Sequence, residues 1–209
     1  MFYSLILLLL LFSFIRISFP KYLIDLFRVA FRTTMKQRQI SEQLIQVPIP
    51  ALLLNIFFLI SASLYINFLL QHFYMSSNYN FWLLYFYCCI ALAAIYIIKF
   101  LTLKFSGWLF NISTTTDNYI FIVFMINKII GIYLLPFLVL LAFSDNDIYQ
   151  VSLTLSYIGV FALVAYRFIL SYSLVQDQIR VNPFHFFLYL CAFEIIPLLL
   201  IYKAMLLWF

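Results

Sequence analysis

Six unbroken runs of mostly apolar residues dominate the chain, over 2–19, 48–70, 81–103, 119–143, 148–173 and 184–209. A helix crosses the hydrocarbon core of a bilayer in about 20 such residues. The polar interruptions are short, and none is long enough to fold alone. An outer-membrane barrel would instead alternate apolar and polar residues in segments of about 10, so the runs read as helices. Composition agrees: 67% of residues are hydrophobic and 9% charged, whereas a soluble domain is about 45–50% apolar and about 25% charged. Disorder requires the reverse balance. Three Cys and two His supply neither a disulfide framework nor a structural zinc module. The expected fold class is all-α membrane, a bundle of six transmembrane helices forming a single domain over residues 1–209.

The first run resembles a signal peptide in length alone. Its leading residues Met1-Phe2-Tyr3-Ser4 carry no basic side chain, and no small-residue cleavage pattern follows. It is expected to remain as a span.

Charge sets the orientation. Lys21, Arg28, Arg32, Lys36 and Arg38 lie between the first two runs, Lys104 follows the third and Arg180 the fifth. The alternate connections, 71–80 and 144–147, hold no Lys or Arg. Such asymmetry places the basic loops in the cytoplasm and both ends of the sequence outside. Trp82 and Trp208 then fall at the outer interface and Trp108 near the inner one. The net charge of +5 is thus an orientation and lipid-surface signal. With no aromatic-basic groove beside it, nucleic acid is not an expected partner.

Residues 21–46 carry a helical pattern of their own. Lys21, Asp25, Arg28, Arg32, Lys36, Gln39 and Gln43 recur every three or four positions, with Leu23, Leu26, Phe27, Ala30 and Phe31 opposite. A basic amphipathic helix beside a span lies in the interface plane. It is expected either to ride on anionic lipid or to dock a partner; Thr33-Thr34 interrupts it. Pro48 and Pro50 open the second span, Asn182-Pro183 opens the sixth, and Asp117 and Asn118 are expected to cap the fourth.

Most charges within the runs lie near an interface. Arg16, Lys99, Arg167 and Lys203 can trail their stems to water. Lys128 and Glu194 do not fit that explanation. Lys128 is nine residues into the fourth run and Glu194 ten into the sixth, so both lie roughly 14–15 Å from the inner boundary at about 1.5 Å per residue. An isolated charge there costs at least about 2.5–3.5 kcal/mol. Equal depth and opposite sign lead us to expect an intramembrane Lys128–Glu194 pair. It would either fix helix register or let Glu194 titrate in coupled transport. Asn127 beside Lys128, and Pro197, which frees the carbonyl of Phe193, are supporting polar features, with Arg167 and His185 as further candidates. Two His at opposite interfaces make no metal site, and no cofactor is expected. Cys88, Cys89 and Cys191 read as small core residues, Gly131 and Gly159 as close-packing points between helices. HExxH, GxSxG and P-loop patterns are absent, and no catalytic role is expected.

The second half carries a specific pattern: Gly107-Trp108-Leu109-Phe110, Tyr119-Ile120-Phe121 leading to Asn127-Lys128 and Leu134-Leu135-Pro136, then Tyr166-Arg167. The last run holds FHFFLYLC-x-x-E-x-x-P-L, from Phe184 through His185, Cys191 and Glu194 to Pro197, followed by Tyr202-Lys203. These residues resemble a domain-of-unknown-function family of integral membrane proteins from Bacteroidota. The resemblance covers most of the chain and implies an inner-membrane protein of a Gram-negative bacterium. It implies no mechanism, and the abrupt start at Met1 departs from longer members, which leaves an upstream extension open.

Three functional readings follow. The first is a non-catalytic component or assembly factor of a membrane complex, with lipid and a membrane-protein partner or second copy as its contacts. The second is a small proton- or ion-coupled transporter centred on Glu194 and Lys128. The third is a lipid-headgroup enzyme using His185 and Arg167.

Overall fold

The computed structural model describes residues 2–31, 47–74, 80–109, 113–144 and 146–178. Among them every regular element is a helix: α1 (Phe2–Ser18), α2 (Pro20–Phe31), α3 (Pro48–Tyr74), α4 (Phe81–Leu109), α5 (Ser113–Phe143) and α6 (Asn146–Gln178). Four of these, α3 to α6, are long and apolar enough to cross a membrane, and the bent pair α1 and α2 together meets the same test. Alone, the 17 residues of α1 rise about 25 Å, short of a core about 30 Å thick. The sixth run, 184–209, lies outside the described residues. So do 32–46, with Arg32, Lys36, Arg38 and Thr33-Thr34, and the Asn182-Pro183 cap.

The break between α1 and α2 has a local cause. Pro20 lacks an amide hydrogen, and its ring disfavours helical geometry at Phe19. Phe19 still donates its amide to the carbonyl of Ile15 at 2.9 Å, closing α1, while its own carbonyl accepts from Leu23 at 3.4 Å, opening α2. With Pro20 at the first helical position, the axis turns by 94°. Pro48 opens α3 as expected. Asp117 and Asn118 do not cap the fourth span, because α5 already starts at Ser113. The Asp117 carboxylate instead receives Lys104 Nζ at 2.6 Å.

The chain forms two compact units. One comprises Met1–Ala93 and Val123–Ala165, the other Ala94–Ile122 and Tyr166–Phe209. In the first, α1 buries Ser4, Leu5, Leu8 and Ile15 along one stripe. It packs on α3 through Phe12 and Phe57, whose rings lie 5.5 Å apart, and Phe2 meets Phe143 at 6.3 Å. Gly131 lets α5 close onto α3, since a Cβ there would stand 2.9 Å from Phe58 Cα. Gly159 likewise admits the ring of Tyr133, whose hydroxyl donates to Leu155 O at 3.1 Å. In the second unit Gly107 is the close-approach point, against Thr116.

Candidate functional site

α5 is almost wholly buried over residues 123–131, with Met125, Ile126, Ile129 and Ile130 among its core side chains. Lys128 sits within it at 5% exposure and Asn127 at 1%. An ammonium at such a place needs acceptors, because desolvating it unpaired is prohibitive. The described acceptor is the hydroxyl of Tyr22, 2.9 Å from Lys128 Nζ. Nζ stands 5.5 Å from the Tyr22 ring centre. The difference between the two distances is nearly the full span from ring centre to hydroxyl, so the ammonium stands off the phenol's edge. The ring quadrupole is positive there. The interaction is therefore a charge-assisted hydrogen bond, with little cation–π character.

The elbow delivers Tyr22. At 100° per residue, α2 divides into three faces. Lys21, Asp25 and Arg28 span about 60°; Tyr22, Leu23, Leu26, Val29 and Ala30 occupy about 120°; Ile24, Phe27 and Phe31 fill about 60° more. The second face is the buried one. The apolar side thus differs from the sequence expectation. Leu23, Leu26 and Ala30 are buried, but Phe27 and Phe31 are exposed and stacked on each other, 6.3 Å apart at 8°. The five together span about 140° of the helical wheel, with Phe27 and Phe31 about 40–100° from Leu23 and Ala30, and the buried face centres on the other side of Leu23, toward Tyr22 and Val29. Arg28 and Asp25 form an ion pair at 3.6 Å. Beside the elbow, Ser18, Lys21, Tyr22, Asp25 and Pro50 line a cavity of about 280 Å³.

A second polar seam joins α3, α4 and α6. The Tyr65 hydroxyl and Ser156 Oγ lie 2.6 Å apart, and Ser156 also donates to Leu153 O at 2.7 Å. Asn67, fully buried, donates from Nδ2 to Phe81 O at 3.3 Å. Ser61 and Ser63, also fully buried, bond to carbonyls of their own helix. Sequence reasoning missed Tyr22, Tyr65, Asn67 and Ser156. Tyr22 was findable, since it shares the face of Leu26, Val29 and Ala30; Tyr65 and Ser156 have no counterpart signal in a run of apolar residues.

Of the candidate residues, the structure brings together Lys128, Asn127 as its chain neighbour, and the newly identified Tyr22. Lys21 and Arg28 share one exposed face. Arg167 belongs to the second unit and is 8% exposed, its guanidinium 5.9 Å from the Phe168 ring, rather than trailing into water. Glu194, His185 and Pro197 lie outside the described residues. Among the described residues no cluster of three His, Cys, Asp or Glu could hold a metal ion, and Cys88 and Cys89 are half-buried free thiols.

Residues 1–205 match the family model described as Domain of unknown function (DUF4271), and the chain belongs to that family. No curated protein and no solved structure matches it.

Proposed function

We propose that this DUF4271 member is a non-catalytic component or assembly factor of a membrane complex. Its place would be the inner membrane of a Gram-negative bacterium, crossed six times, with the basic segments cytoplasmic. The observation that carries this reading is the outer stripe of α4. Leu83, Phe86, Tyr87 and Ile90 are 46%, 65%, 62% and 52% exposed, and they recur at the spacing of one helix face. Trp82 adds a further exposed ring at the same end. Aromatic side chains are enriched at the centres of protein–protein contacts, and on this reading the stripe meets another membrane protein or a second copy in place of lipid.

Photo-crosslinking in native membranes tests it. A photoreactive residue at Tyr87 or Ile90 should give a discrete heavier adduct, identified as protein by mass spectrometry. Adducts with lipid alone, or only within the chain itself, refute the component reading.

The second reading, a small proton- or ion-coupled transporter centred on Glu194 and Lys128, is favoured by the near-complete burial of Lys128. A phenol is a neutral acceptor, so a carboxylate from the sixth run would complete the neutralisation. In reconstituted vesicles a transporter with Glu194→Gln stays folded and loses flux. A structural pair loses stability instead.

A further inference from the structure

We propose that α2 binds an anionic phospholipid, its phosphate held by Lys21 and Arg28 and its acyl chains lying along Ile24, Phe27 and Phe31. The inference requires only that the chain be membrane-embedded. It holds whether or not a protein docks on α4.

The 94° turn at Phe19-Pro20 lays α2 across the direction of α1, so if α1 runs along the bilayer normal, α2 runs in the bilayer plane. Its three faces then have three different neighbours. Tyr22, Leu23, Leu26, Val29 and Ala30 are taken by the protein. Ile24, Phe27 and Phe31 remain 59%, 38% and 58% exposed, an apolar stripe that acyl chains would accept. Lys21 and Arg28 stand beside Ile24 on the wheel, at the level where headgroup phosphates meet such a helix. Arg28 spends little on its own carboxylate partner, since the contact with Asp25 is 3.6 Å long and the Arg28 side chain is 52% exposed. A guanidinium carries five donors in a planar fork suited to phosphate. A second copy fits this face worse: in a two-fold contact an antiparallel pair of α2 helices would set Lys21 of one against Arg28 of the other, like charge on like charge.

The test uses the full-length purified protein in detergent, titrated with phosphatidylglycerol or with phosphatidylcholine of identical acyl chains and read by native mass spectrometry. Phosphatidylglycerol should bind more tightly. The double change Lys21→Ala with Arg28→Ala should weaken it about 25-fold, at roughly fivefold per cation near a lipid surface, and leave phosphatidylcholine unchanged. Exchanging the cations, Lys21→Arg with Arg28→Lys, should retain binding. Asp25→Asn removes the only carboxylate on this face among the described residues of α2 and should tighten binding several-fold. Equal affinity for the two lipids overturns the proposal, as does an unchanged affinity in the double alanine variant or loss of binding in the exchanged one. Where the alanine variant does not fold, Asp25→Asn decides alone: tightening supports the site, and unchanged or weaker binding overturns it.

Discussion

Removing the Tyr22 hydroxyl leaves the Lys128 ammonium buried at 5% exposure without its 2.9 Å acceptor. A hydrogen bond to an ionised group contributes about 1.5–3 kcal/mol. The edge-on placement of the ring supplies no compensating quadrupole attraction, so Tyr22→Phe should cost that full amount. Lys128→Met removes the charge itself and strands only a neutral hydroxyl, which costs about 1–3 kcal/mol before relief of the buried ion is counted. With both changes the site becomes apolar on both sides, and such replacements are often close to neutral. The double variant should therefore be more stable than the sum of the singles implies. The coupling should be about 1.5–3 kcal/mol, or roughly 10- to 150-fold in the unfolding constant. Steric-trap unfolding in bicelles measures these constants in a bilayer-like medium. A coupling below about 0.6 kcal/mol, the average for ordinary intramembrane hydrogen bonds, refutes the assignment of Tyr22 as the acceptor that holds Lys128. A Lys128→Met cost above about 3 kcal/mol, relieved by adding Glu194→Gln, would show that a carboxylate had been stranded as well, since breaking a buried ion pair costs about 3–5 kcal/mol.

Charge reversal tests the proposed ion pair directly: Lys128→Glu and Glu194→Lys should each lower the protein level in the membrane, and the combination should restore it, whereas additive losses refute the pair. Gly131→Ala should destabilise by about 1–3 kcal/mol, because the added methyl meets Phe58 Cα at 2.9 Å. Gly159→Ala should cost less, since its neighbour is the swinging end of Tyr133; thermal unfolding in detergent ranks the two, and the reverse order refutes the packing argument. Tyr65→Phe should cost only about 0.6–1 kcal/mol, because Ser156 keeps its bond to Leu153 O; a much larger loss would mean that the seam acts as a unit. In a variant lacking the native cysteines, a cysteine at Asn78 should react with an impermeant maleimide from outside intact cells, and one at Gln39 only after lysis. The opposite pattern reverses the topology.

The long helices were legible because hydropathy alone decides them. Pro48 and Phe81 open α3 and α4 where the apolar runs open, and the turn after Ser18 follows from Pro20. The ends were less legible, because a helix continues past the last residue a membrane requires. α4 runs on to Leu109 and α5 starts at Ser113, in a polar stretch whose chemistry favours a cap as readily as a first turn. The sequence offers Asp117 as that cap. Its carboxylate is instead paired with Lys104, 13 residues back in sequence. No local rule sees such a contact.

The same asymmetry governs the site. A charge inside an apolar run announces itself, so Lys128 was found from sequence. A phenol does so less plainly, because tyrosine is common at interfaces and in cores alike and this chain has 16 of them; the face that Tyr22 shares with Leu26, Val29 and Ala30 marks it as buried but does not name its partner. What separates Tyr22 from the rest is the elbow. A straight continuation of α1 would carry residue 22 onward along the helix axis, whereas the turn at Phe19-Pro20 directs the start of α2 onto α5. The proline that ends one helix thereby brings Tyr22 to a lysine 106 residues further along the chain. It also leaves the far side of the new helix, Ile24, Phe27 and Phe31, uncovered by the described chain. One backbone constraint thus produces both the buried hydrogen bond and the exposed lipid-facing stripe. Replacing Pro20 with alanine, which permits α1 to continue, should weaken the two together; weakening of only one would separate causes that the geometry joins.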